Sequence, residues 1–223
     1  MAASTILVDI VSDTICPFCF IGKRRLEAAI ERFRSASSAH AEVQFDIRWH
    51  PFYLGPPDSP VMSKMQRYRE KFGAARTEQM IPYMKSIGAK DGIAFSYEGP
   101  IGPTYLSHRV LQYVQEQERD RTDHTVEALF RSYFEASGNI FTKESLLHIL
   151  QEAKVKLDWT KLETFLDDPS GREQIDREVL QAQMKRINGV PDFTINKEYH
   201  INGAQEVEVF VDIFDKIMKK QGQ

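Results

Sequence analysis

The stretch that most constrains this chain is Cys16-Pro17-Phe18-Cys19. The residues before it, Ile6-Leu7-Val8-Asp9-Ile10-Val11, are apolar and β-branched, which predicts a strand. After it, Leu26, Ile30 and Phe33 fall on one face at i, i+4 and i+7, which predicts a helix from Phe20 to Phe33. The two thiols therefore sit where a strand turns into a helix, Cys16 at the helix start and Cys19 one turn further in. Unpaired backbone N–H groups and the positive end of the helix dipole favour a thiolate at such a start. The spacing is that of redox-active dithiols. On this reading Cys16 attacks and Cys19 resolves.

Two other uses of the motif are weaker. Zinc needs four ligands. The chain has 2 cysteines, and its 6 histidines form no closely spaced pair, so no metal site is expected. A structural disulfide across so short a loop would remove little chain entropy.

Formal net charge is -3, and the longest basic cluster, Lys23-Arg24-Arg25, is short, which argues against a nucleic-acid footprint. That cluster reads as a solvated face of the first helix. No run approaches the roughly 20 apolar residues of a membrane span, and the first five residues carry no basic charge. Two cysteines confined to one motif suit a reducing compartment, so a cytoplasmic location is expected.

Further on, Val43, Phe45, Ile47 and Trp49 alternate with polar residues, a second strand. The first fifty residues thus read β–α–β and favour a parallel pair. The proline-rich run from His50 to Pro60 is an exit linker. Helical patterns follow: Met62–Phe72, Thr77–Ile87, stripes around Val110 and Phe130, Lys143–Ala153 capped by Thr142, and Trp159–Leu166. Ser35–Ala39 and Gly88–Pro103 read as loops. A helix around Val179 then leads to Val190-Pro191-Asp192-Phe193, a hairpin turning at Asn196-Lys197-Glu198, and a final helix around Phe214.

The ends alone read β–α–β then α–β–β–α. With the motif Asp13-Thr14-Ile15-Cys16-Pro17-Phe18-Cys19-Phe20-Ile21-Gly22-Lys23, and with Pro51-Phe52, Leu106-Ser107-His108-Arg109, Gly189-Val190-Pro191-Asp192-Phe193 and Gly203-Ala204-Gln205 in that order, the chain resembles the DsbA-like branch of the thioredoxin superfamily, in particular its FrnE-like oxidoreductases. The resemblance implies an α/β thioredoxin fold with a large all-helical insertion: residues 1–55 plus 171–223 as the thioredoxin-like domain, 56–170 as the inserted helices. It implies a cis Pro191 against the Cys16 sulfur, making Cys16, Cys19 and Pro191 the catalytic set. Pro17, Phe18, Phe20, Phe52, His108, Val190 and Gln205 are the substrate-binding candidates, with Phe18, Phe20 and Phe52 as an apolar rim. Phe18 and Phe20 stand where the family commonly has Trp and Tyr, and Asp192 follows the proline where an uncharged residue is usual. That carboxylate would either act on the cysteine or point to solvent.

The expected activity is thiol–disulfide exchange on protein or low-molecular-weight disulfides. No cofactor is expected to be tightly bound; glutathione is a candidate co-substrate, and a homodimer is compatible with the resemblance. An alternative is a glutathione-dependent transferase or isomerase acting on a small apolar electrophile, since kappa-class glutathione transferases and hydroxychromene-carboxylate isomerases share the inserted-helix architecture. Those enzymes typically carry Ser where Cys16 stands. In that case Val190 and Gln205 would be the glutathione contacts. A third alternative is a binding module that uses the inserted helices and leaves the dithiol idle.

Overall fold

The computed structural model describes residues 4–221. Among them the first strand, β1 (Thr5–Ser12), leads through a tight turn into α1 (Pro17–Ser35). Helix α1 begins at Pro17 rather than Phe20, because a proline lacking an N–H costs nothing in the first turn. A one-turn helix, α2 (Ser38–Ala41), capped by the Ser37 hydroxyl, replaces the loop expected there. The chain returns as β2 (Gln44–Pro51), which pairs parallel to β1 from Thr5↔Gln44 to Ser12↔Pro51. A parallel pair requires a crossover, and α1 provides it.

The insertion opens with β3 (Met62–Ser63) and α3 (Lys64–Phe72), and Gly73, at φ 81°, breaks the chain before α4 (Ala74–Lys90). The stretch expected to be an unstructured loop instead carries α4 through to Lys90 and then β4 (Pro100–Ile101), which pairs antiparallel with β3. Four helices follow, α5 (Tyr105–Gln117), α6 (Thr122–Phe134), α7 (Lys143–Glu152) and α8 (Trp159–Leu166). The Thr142 hydroxyl caps α7, accepting the Ser145 N–H at 3.3 Å. Helix α9 (Gly171–Met184) leads back to β5 (Asp192–Ile195), β6 (Tyr199–Asn202) and α10 (Val207–Gln221). The sheet order is β2-β1-β5-β6, with β5 and β6 antiparallel to their neighbours. Asn196 and Lys197 both have positive φ, the turn whose twist suits a tight hairpin.

Two devices join the halves. Trp49 on the edge strand β2 donates its N–H to the Gln115 side chain (2.7 Å), which donates back to the Trp49 carbonyl (3.2 Å). Helix α5 thereby satisfies an exposed strand edge. The second is Lys23, expected to be solvated with its neighbours but in fact 1% exposed. Its ammonium faces Glu27, Asp123 at 3.1 Å and Glu127 at 3.2 Å, so α1 is tied to α6. Arg24 adds a contact to Glu127, and Arg25 pairs with Asp91 and Glu206. Burial disfavours the Lys23 charge, but the three carboxylates outweigh it and hold its pKa above the ordinary value.

Within the insertion, Arg109 is buried and lies 3.6 Å over the Phe165 ring while donating to the Phe165 carbonyl. A Cβ at Gly171 would come within 2.3 Å of its Nε, so only glycine lets α9 start there.

Replacing Lys23 by the near-isosteric Met strands three carboxylates. They are partly solvated, so the loss should fall below the ~3–5 kcal/mol of a fully buried broken pair, at about 1–3 kcal/mol. Urea unfolding of Lys23→Met against wild type measures this; an unchanged midpoint would show that the cluster does not join the halves.

Candidate active site

The site is built from the β1–α1 junction outward. Asp13, wholly buried, accepts the Leu54 N–H at 2.7 Å and the Ile15 N–H at 3.4 Å through its carboxylate. Its backbone carbonyl accepts the Cys16 N–H at 3.0 Å. The turn is thus closed by its own side chain, and Cys16 becomes the residue just ahead of the helix. The first turn of α1 contains no acidic residue, so no carboxylate competes for its N–H groups.

The two cysteines lie 3.6 Å apart. The Cys16 sulfur lies 3.5 Å from the Val190 carbonyl, within reach of a weak S–H···O contact. The Val190–Pro191 bond is cis. Gly22 permits this closeness: a Cβ there would meet Pro191 and Phe193 at 3.0 Å. Cys19 is 1% exposed. Burial pushes its thiol pKa well up, and the adjacent Cys16 sulfur pushes the same way.

Cys16 opens into a groove of about 350 Å³ between the two halves of the chain. On the near side are Ile15, Pro17, Phe18, Gly189 and Val190. On the far side α3 presents Arg67, Tyr68, Lys71 and Phe72, and Met80, Met84 and Tyr97 complete the wall. Tyr68 sits edge-on to both Phe72 (5.9 Å) and Tyr97 (5.8 Å). Burial, with the Cys16 sulfur nearby, pushes the Tyr68 phenol up to about 12. Tyr97 is raised further, again mainly by burial. Both therefore face the groove as neutral rings. Beneath them Lys64, at the start of α3, is buried and donates to the Tyr133 carbonyl at 3.1 Å; burial lowers its ammonium to about 8.

The residues proposed from sequence divide. Cys16, Pro17, Phe18 and Val190 share the groove, and Phe18 is 43% exposed on its rim. Phe20 is not on that rim. It is wholly buried and stacks on Phe130 at 5.1 Å, because its position on α1 turns it toward the insertion. Phe52 packs with Val11 and Ala182 and contributes only its carbonyl, which lies 3.0 Å from His108 Nε2. Leu54, two residues on, takes the groove position. His108 is 4% exposed, with Nε2 also 3.5 Å from Asp13: it braces the junction and does not meet the groove. Gln205 turns back to donate to the Asn202 carbonyl at 2.9 Å and faces solvent. Asp192 accepts from Asn202 Nδ2 at 3.2 Å across the hairpin, and burial raises its carboxyl. The α3 residues had a readable signal, basic and aromatic side chains at i, i+1, i+4 and i+5. Which element that face would meet was not in it.

Among the described residues no cluster of three or more His, Cys, Asp or Glu is placed to hold a metal ion, and no helix is long and apolar enough to cross a membrane.

Residues 7–215 match the DSBA-like thioredoxin domain family, and the chain belongs to it. It is 25% identical over 219 residues to the uncharacterized protein YwbO of Bacillus subtilis (strain 168), covering 97% of this chain and 100% of that one. A probable DsbA oxidoreductase from Streptomyces coelicolor superposes with a TM-score of 0.79 at 25% identity, over 95% of this chain and 89% of that chain. The cytosolic disulfide reductase DsbM from Pseudomonas aeruginosa, solved with GSH, shares the fold at a TM-score of 0.60 and 12% identity, over 96% and 99% of the two chains. The fold is thus the thioredoxin fold with a helical insertion.

Asp13→Ala leaves the Leu54 and Ile15 N–H groups without their acceptor, a loss of about 1–3 kcal/mol. Hydrogen exchange at the Leu54 amide should speed up about tenfold or more; unchanged protection would show that the carboxylate does not hold the groove wall.

Proposed function

We propose that this member of the DSBA-like thioredoxin family is a thiol–disulfide oxidoreductase acting on protein or low-molecular-weight disulfides, with Cys16 attacking and Cys19 resolving. The observation that carries the reading is the difference between two neighbouring sulfurs. Cys16 stands at a helix start on the groove. Cys19 is walled in and holds its proton more tightly than an ordinary thiol.

The Cys16 thiolate attacks one sulfur of the substrate disulfide; that S–S bond breaks and the far sulfur leaves as a thiolate. Cys19 then gives up its proton and attacks the Cys16 sulfur. The Cys16–Cys19 bond forms and the second substrate sulfur leaves. The substrate gains two electrons and the protein loses two. The Val190 main chain, next to Cys16, is assigned to pair with an extended substrate segment. We place the reaction in the cytoplasm, where the poise keeps such a pair mostly reduced and favours reduction or isomerisation over net oxidation. Glutathione, present in the DsbM structure, is the thiol proposed to return the pair to its reduced form.

The groove's apolar lining also favours a second reading, a glutathione-dependent transferase or isomerase acting on a small apolar electrophile. That enzyme would bind glutathione saturably and keep its turnover in Cys19→Ser.

Cys16→Ser should lower the rate of insulin disulfide reduction at least 100-fold, while Cys19→Ser accumulates mixed disulfides detectable by mass spectrometry. If both variants reduce insulin like wild type, the oxidoreductase reading is wrong. Because Cys19 is an acid whose pKa is raised, its thiolate fraction climbs about tenfold per pH unit until that pKa is reached. The resolving phase, followed by stopped flow, should therefore accelerate from pH 7 to pH 9; a flat profile would mean that deprotonation of Cys19 does not limit resolution.

A further inference from the structure

The groove carries information about its occupant beyond its closeness to Cys16. Its far wall holds two cations, Arg67 and Lys71, one helical turn apart on α3, and among the described residues no carboxylate lines it. Among the described residues neither cation forms an ion pair. Glu70, on the same helix, accepts instead from Gln66 at 2.9 Å. The Lys71 ammonium lies 5.4 Å over the Phe72 ring. Two cations without an ion-pair partner thus line the same groove wall as Tyr68, Phe72 and Tyr97.

Rings and thioethers favour a flat apolar body, and the cations at its edge favour an anion. The volume, about 350 Å³, falls in the range of small-molecule sites. We propose that this groove selects small aryl disulfides bearing a carboxylate, with Arg67 and Lys71 as the residues that determine the choice. The proposal rests on the thiol–disulfide reading above and deepens it. The aryl ring lies against Tyr68 and Phe72, its carboxylate meets Arg67 and Lys71, and its disulfide faces Cys16. The exchange is the one already written: the aryl S–S bond is reduced to two thiols as Cys16 and Cys19 are oxidised.

The test uses the full-length reduced protein and two chromogenic disulfides, dithiobis(nitrobenzoate), which carries carboxylates, and dithiodipyridine, which is neutral. Second-order rate constants are measured for wild type, Arg67→Ala, Lys71→Ala and the double variant. The ratio of the nitrobenzoate rate to the dipyridine rate should fall about tenfold in the double variant. Raising the salt to about 0.5 M should lower the wild-type ratio in the same direction. The neutral probe reports any change in the nucleophile itself, so a general loss of Cys16 reactivity lowers both rates and leaves the ratio where it was. An unchanged ratio overturns the proposal while the oxidoreductase reading stands. If Cys16→Ser reacts with both probes as fast as wild type, it is the oxidoreductase reading that fails. In competition, naphthoate should slow the nitrobenzoate reaction at concentrations where acetate does not. Equal competition by acetate would overturn the apolar half of the proposal.

Discussion

Helix α1 buries its side chains on both halves of the chain at once. Phe20 stacks on Phe130 of the insertion, while Phe33 meets Phe214 of α10 edge-on at 5.5 Å. Between them Lys23 draws carboxylates from α6 onto the helix, and Gly22 leaves room for Pro191 and Phe193. A helix gripped from two sides has no freedom to slide or roll, since a packed interior resists displacement of even a methyl-sized group. The start of α1, and with it Cys16, is thereby fixed at the seam between the halves.

That placement explains why the site is a groove rather than an exposed dithiol. The Asp13 carboxylate ties the loop at Leu54 to the strand-to-helix turn, so one wall of the groove is anchored to the residue that also orients the Cys16 amide. The other wall belongs to the insertion, where α3 and Tyr97 cover what would otherwise be open solvent above the sulfur. On the proposed reading, the thioredoxin half supplies the chemistry, the insertion shapes what reaches it, and a change in α3 alters selectivity without touching either sulfur.

Much of this was legible in the chain. The alternation from Val43 to Trp49 and the thiols opening a helix are local patterns, and the strand, the helix and their order follow from them. Trp159–Leu166 was readable to the residue, since Asp168-Pro169 follows just beyond its end; the Asp158 side chain caps its start. The β3–β4 pair was not, since two residues carry no period. Phe20 was misplaced because an aromatic beside a Cys-x-x-Cys reads as rim, and only the packing of α6 against α1 turns it inward. Lys23 was misplaced for the same reason: a basic triplet reads as solvated until distant carboxylates arrive. Gln205 and Phe52 lie close in sequence to groove-forming segments, yet the Gln205 amide donates to the Asn202 carbonyl and the Phe52 ring packs with Val11 and Ala182.

The sequence by itself determined the family of folds and the position of the two sulfurs, because strand period, helix period and the Cys-x-x-Cys spacing are all encoded within a few residues of one another. Tertiary structure alone decided which side chains face Cys16. Residues 67–72 and 97 meet residue 16 only because the insertion folds back over α1, and that approach is set by summed packing and ion pairing among residues dozens to more than a hundred positions apart, which no local pattern records.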